Sequence, residues 1–173
     1  MNPANELKAW QQKAQAQTEL LLERFLPSEN QVPHTLHEAM RYVTLGGGKR
    51  LRPLLVLAAS KLGDADQNAV EQAMAAIEMV HVYSLVHDDM PAMDNDSLRR
   101  GKPTCHVQYD EATALLVGDA LQTQAFDVLS RPTGLPAERQ LAMLSTLAQA
   151  SGSLGMAGGQ AIDLANVGKA MNQ

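Results

Sequence analysis

Residues 85–101 read LVHDDMPAMDNDSLRRG, a run in which Asp88, Asp89, Asp94 and Asp96 are followed directly by Arg99 and Arg100. Upstream, Val70, Ala73, Met74, Ile77, Val80 and Ser84 recur at helical spacing, so a helix is predicted to carry the chain up to Asp88 and Asp89. The C-terminal end of a helix already bears roughly half a negative charge, so carboxylates placed there call for a cation. Asp88 and Asp94 are six residues apart, which would set them about 120° apart on a regular helix. Pro91 cannot continue the helix and biases Met90 away from it, so the spacing predicts a bulge that swings Asp94 back toward Asp88. Carboxylates about 4 Å apart repel by about 4 kcal/mol at an effective dielectric near 20, and therefore take up protons or bind cations. All-oxygen ligation selects Mg²⁺ or Ca²⁺. The neighbouring Arg99, Arg100 and Lys102 are phosphate-binding groups, which favours Mg²⁺ shared with a phosphate. A calcium loop beginning at Asp94 fails, with Leu98 at its fifth position and Arg99 where glycine is needed. Standing alone, the stretch also reads as a solvated acidic loop.

A second cluster is basic. Gly46, Gly47 and Gly48 end one predicted helix, and Leu51-Arg52-Pro53 begins the next, which gathers Lys49, Arg50 and Arg52 at a helix N-terminus. Amide N–H groups and cations together suit a diphosphate, although a basic helix start is also an ordinary structural feature. The segment is neither a Walker A loop, since Arg50 stands where Ser or Thr belongs, nor a dinucleotide fingerprint, since Leu51 replaces the third glycine. His81 precedes Asp88 by seven residues and falls within about 20° of the same helix face, so it either lines the same cavity or is a core histidine. His34 and His37 have no third ligand nearby and read as surface residues.

The elements that must hold these groups are helical. Of 173 residues, 45% are hydrophobic but only 3% aromatic, and β-branched runs are few, which predicts an all-α protein with a single domain over 1–173. Helices are expected at 5–26, with Leu7, Trp10, Ala14, Thr18, Leu21, Leu22 and Phe25 as its apolar stripe, then from Pro33, from Leu51, and after Asp64 and Asp66 as caps. A turn is expected at 101–104. The segment 111–129 is apolar nearly all round and reads as central, with Gly118 costing about 1 kcal/mol relative to alanine unless close packing or a cavity requires it. Asp119 reads as structural. Further helices are expected at 137–151 and around 155–164, where Gln160 and Asp163 lie three apart among small residues that leave room for a ligand or another helix. A net charge of -5 with no basic stripe argues against nucleic acid. Cys105 is the single cysteine, expected to be packed rather than reactive, and it fits a reducing compartment. The N-terminus lacks a signal-peptide pattern and no apolar run reaches membrane length, so a cytoplasmic location is expected.

Taken together, GGGKRLRP, HVYSLVHDDMPAMDNDSLRRGKPTCH, LLVGDAL and GMAGGQAIDL resemble the trans-prenyl diphosphate synthases, in that family's order and over nearly the whole chain, with the DDMPAMD form of its bacterial-type members. The resemblance implies an isoprenoid-synthase-type helical bundle around a central cavity and head-to-tail prenyl transfer. It implies Mg²⁺ on Asp88 and Asp94, supported by Asp89, with Arg99 on the allylic diphosphate. Lys49, Arg52, His81 and Arg100 would hold isopentenyl diphosphate, and Gln160 and Asp163 would face the allylic substrate. It also implies that Tyr83, with small Ser84 beside it, stops the growing tail, and that the complete protein is a homodimer. The family's second aspartate-rich motif is not among the 173 residues, so the bundle is expected to be incomplete at the C-terminus, and a non-catalytic chain that binds one diphosphate and a partner is the other reading.

Overall fold

Asn2 accepts a hydrogen bond from the Ala4 amide and starts α1 (Pro3–Phe25), one residue pair ahead of the expected start. The computed structural model describes residues 2–169 and divides them after Gly134 into two units. In the first, α2 (His34–Thr44) ends at the glycines, and α3 (Leu51–Ala59) runs into a short 3₁₀ turn. Asp66 alone caps α4 (Gln67–Asp88), its carboxylate accepting from the Ala69 amide, and the expected role of Asp64 is not realised. A two-stranded hairpin follows, β1 (Leu98–Arg99) antiparallel to β2 (Lys102–Pro103), where the sequence predicts only a turn. Then come α5 (Cys105–Gln108) and α6 (Glu111–Ser130), the latter capped by Asp110. The second unit holds α7 (Ala137–Ser151), with the expected bounds, and α8 (Met156–Asn166).

The core of the first unit is α4 packed along α6, flanked by α1, α2 and α3. Met74, Met79, Val117, Leu121 and Val128 are wholly buried between them, and burying such a side chain contributes about 1.5–3 kcal/mol. The stripe of α1 is buried at Ala14, Thr18, Leu21, Leu22 and Phe25, but Leu7 is exposed. Helix α6 is less enclosed than its composition predicts, with Leu115 and Leu116 about half exposed on one face. His34 and His37 each pair a ring nitrogen with a loop carbonyl, of Glu29 and Gln31. Among the described residues no helix is long and apolar enough to cross a membrane.

Candidate active site

Helix α4 ends where the sequence predicts, and Pro91 does break it. The chain folds back through a tight turn in which the Asp94 amide donates to the Asp88 carbonyl at 2.9 Å, the Asn95 amide to Met90 and the Asp96 amide to Asp89. The backbones of Asp88 and Asp94 are thus brought together. The Asp88 carboxyl is raised above its usual range by burial and by the charge of Asp94, with Arg99 acting in the opposite sense. Asp89 turns inward and is chelated by Arg99, whose Nε lies 2.8 and 2.7 Å from its two oxygens and whose Nη2 lies 2.5 Å from Oδ1. That hydrogen bonding holds the Arg99 guanidinium above its usual value despite partial burial. Among the described residues no three acidic, histidine or cysteine side chains converge as a metal cage. The pair Asp88 and Asp94 nevertheless has the chemistry of a divalent-cation site completed by water and phosphate, since two carboxylate-bearing residues held in one turn offer the oxygen ligands such an ion takes.

The hairpin explains why the two arginines differ. Arg100 and Gly101 occupy its two central positions at φ 53° and 77°, the left-handed pair that a two-residue turn between twisted strands requires. Arg99 therefore reaches Asp89 from β1, while Arg100 reaches the other way and donates from Nη1 to the Gly47 carbonyl at 2.9 Å. Tyr42 holds the hairpin to α2 through its hydroxyl, which donates to the Pro103 carbonyl. A Cβ on Gly48 would sit 2.4 Å from the Arg100 guanidinium, so glycine is what lets that side chain approach.

Lys49, Arg52, His81 and Arg100 meet in one cleft of about 500 Å³, lined also by Gln15, Gly48, Leu51 and the buried pair Arg50 and Glu78. Asp88 is not part of its lining, so His81 and Asp88 share a helix but not this cleft. Burial, with Arg52 and Arg100 nearby, lowers the His81 imidazole below its usual value, against the opposing pull of Glu78. The cleft thus presents cations and a neutral imidazole, a set suited to a multiply charged anion. Arg50 departs from the sequence reading. Instead of joining Lys49 and Arg52 as an anion ligand it stands at φ 46°, is 3% exposed, and donates to Glu19, Glu78 and the Thr44 carbonyl. A left-handed non-glycine residue costs about 1–2 kcal/mol, which those three bonds offset. The signal for this was Glu78, a charge within the apolar run AAIEMV that needs a buried cation.

Tyr83 is buried on α4, its ring edge-on to His87 at 5.9 Å, and the Ser84 hydroxyl donates back to the His81 carbonyl. His87 Nε2 lies 3.0 Å from the Leu115 carbonyl, in space that Gly118 leaves open. Close packing is therefore why α6 tolerates glycine. Cys105 is buried and its thiol is pushed up to about 12, so it is inert as expected. Gln160 and Asp163 sit a turn apart on α8, in the second unit. Of the small residues around them, Gly155 and Gly158 have their space taken by the carbonyls of Ala150 and Ser153.

The first unit thus carries two charged centres, an acidic turn at the end of one helix and a cationic cleft along it. The polyprenyl synthetase family model matches residues 33–173, and the chain belongs to that family. It is 54% identical over 129 residues to a farnesyl diphosphate synthase of Haemophilus influenzae, covering 75% of this chain and 44% of that protein. A farnesyl diphosphate synthase of Escherichia coli is 53% identical over 135 residues, 76% of this chain and 45% of that protein. Among solved structures, a FPP/GFPP synthase from Zymomonas mobilis superposes with a TM-score of 0.92 at 47% identity, covering 98% of this chain and 62% of that one. The chain spans about half the length of the curated relatives it matches.

Proposed function

We propose that this chain supplies the first aspartate motif and the isopentenyl diphosphate cleft of a farnesyl diphosphate synthase, acting in head-to-tail prenyl transfer. The observation that carries the reading is the meeting of Lys49, Arg52, His81 and Arg100 in one cleft, on the helix that ends in Asp88. Three cations and the His81 ring would hold the diphosphate of isopentenyl diphosphate. Asp88 and Asp94 would hold Mg²⁺, with Asp89 behind them, and that ion when bound neutralises charge on the allylic diphosphate. Arg99, fixed by Asp89, would present its charge to the same diphosphate, so that the allylic C–O bond can break with the electron pair leaving on oxygen. The alkene then attacks the allylic cation, and the adduct loses a proton to the released diphosphate, which restores a double bond. The protein supplies no nucleophile, in keeping with the inert Cys105.

In this reading Gln160 and Asp163 face the allylic substrate, and Tyr83 beside Ser84 limits the tail. Residues 1–173 form the N-terminal part of one polyprenyl synthetase domain, cytoplasmic and homodimeric in the complete protein, with the exposed Leu115 and Leu116 of α6 suited to a subunit contact. The other reading of the sequence is a non-catalytic chain that binds one diphosphate and a partner. Incubating the purified 173-residue chain with Mg²⁺, geranyl diphosphate and radiolabelled isopentenyl diphosphate separates the two. The expected result is binding without useful turnover, because only one aspartate motif is supplied. Turnover near that of a complete synthase would overturn the need for a second motif, and no binding at all would overturn the cleft.

A further inference from the structure

The loop between α2 and α3 has a geometry that its own residues do not enforce. Gly46, Gly47, Gly48 and Arg50 all lie at positive φ, and the three glycines have no side chains to hold them there. The shape is held from outside. Gln15 donates to the Lys49 carbonyl at 3.0 Å and Arg100 to the Gly47 carbonyl at 2.9 Å. The remaining ties all come from one guanidinium: Arg50 Nε to Glu19 of α1 at 2.7 Å, Nη1 to Glu78 of α4 at 2.8 Å, and Nη2 to the Thr44 carbonyl of α2 at 2.6 Å.

Arg50 is the N-cap residue of α3, and it lines the cleft between the cationic Lys49 and Arg52. Its own side chain is buried at the inner wall of that cleft, its guanidinium taken up by Glu19, Glu78 and the Thr44 carbonyl, while Lys49 and Arg52 are exposed. The anchor is buried as well. Glu78 is 2% exposed, its Oε2 finds no hydrogen-bond partner among the described residues, and it lines the same cleft one turn before His81. A lone arginine tie to a carboxylate could serve stability only. Here the tie reaches three helices and its two ends lie at the loop and at the wall of the cleft.

We infer that Arg50, anchored on Glu78, is a positioning residue: its guanidinium is engaged by protein acceptors, and it sets the direction from which Lys49 and Arg52 meet a diphosphate. This rests on the reading of the cleft as the isopentenyl diphosphate site. Lysine at this position keeps the charge but not the planar fork that reaches three acceptors in different directions.

The test uses the purified protein at its natural length and the equilibrium binding of isopentenyl diphosphate by calorimetry, with thermal unfolding alongside. Arg50→Met/Glu78→Met removes the pair without stranding a buried charge, a replacement that folded proteins commonly accept. It is expected to weaken binding tenfold or more with the unfolding midpoint retained. Lys49→Ala is expected to weaken it about tenfold too. The triple variant is expected to be little weaker than either, because groups that act through one another do not add. Near-parental binding by the folded Met/Met variant overturns the positioning role, and so does a triple variant whose loss is the full product. If Met/Met does not fold, Arg50→Lys decides: binding weakened at least threefold at an unchanged midpoint supports the role, and unchanged binding overturns it. Parental binding by Lys49→Ala would instead remove the reading of the cleft, and the positioning role with it.

Discussion

Replacing Asp88 by asparagine should stabilise the metal-free protein while abolishing its chemistry. Asp88 closes α4, where the helix dipole penalises a negative charge by about 0.3–1 kcal/mol. It also faces Asp94, and carboxylates about 6 Å apart repel by about 0.7 kcal/mol in water and about 3 kcal/mol at an effective dielectric of 20. Asp94 is exposed and Asp88 half-buried, so the lower figure applies. Against these stands the lost attraction to Arg99, a cation already engaged by Asp89 and therefore worth about 0.5 kcal/mol. The balance is about 1 kcal/mol in favour of Asp88→Asn, or about 2–4 °C in melting temperature for a chain of this size. The assay is thermal unfolding at neutral pH in chelator and again in excess Mg²⁺. The variant should melt higher in chelator, and the parent should recover the difference when the ion binds. The pH dependence has a fixed sign. Because the folded-state carboxyl is raised above its ordinary 3.8, the parent loses stability as pH climbs from that value through the raised one, and the two proteins converge below it. A variant that melts at or below the parent in chelator would refute the like-charge argument.

In a complete synthase the same Asp88→Asn change should cost several powers of ten in turnover, and unchanged steady-state rates would remove Asp88 from the site. Gly118→Ala should destabilise by about 1–2 kcal/mol in urea titrations: the new Cβ would lie 1.9 Å from His87 Nε2, and displacing that ring outweighs the gain in helix propensity of about 1 kcal/mol. A more stable alanine variant would show that His87 moves freely. Tyr83→Ala in the complete enzyme should shift products beyond farnesyl diphosphate, and chromatography that finds only farnesyl diphosphate would end its role as a stop. Cys105 should resist iodoacetamide at pH 8 in the folded protein and react once urea exposes it, whereas labelling of the native chain would contradict a thiol pushed up to about 12.

The helices were legible because their signals are local. Pro91, Asp66 and the apolar spacing of α4 are each read within a few residues, and α7 has the bounds its sequence predicts. The cleft was read in a different way, since Lys49, Arg52, His81 and Arg100 belong to the motifs that carry the resemblance to the family. What stayed hidden is what depends on contacts far apart in sequence. Nothing near Arg50 distinguishes it from Lys49 and Arg52; Glu19 and Glu78, from two other helices, turn it inward together with the Thr44 carbonyl. Arg99 and Arg100 look equivalent as neighbours, and the left-handed turn that separates their directions depends on a hairpin only two residues deep on each side. Gly118 declares a need for space without naming the His87 ring that takes it.

Helix α4 also acts as a ruler. His81 at the cleft and Asp88 at the acidic turn are separated by seven residues of unbroken helix, about 10 Å at a rise of about 1.5 Å per residue. The spacing between the two charged centres is therefore a count of peptide units rather than a compromise between flexible loops. Adding or deleting one residue between them would change the length by about 1.5 Å and rotate one centre against the other by about 100°. Length variation in this lineage is accordingly expected in the loops around α4 and not between His81 and Asp88, where evolution can exchange side chains but cannot change their number.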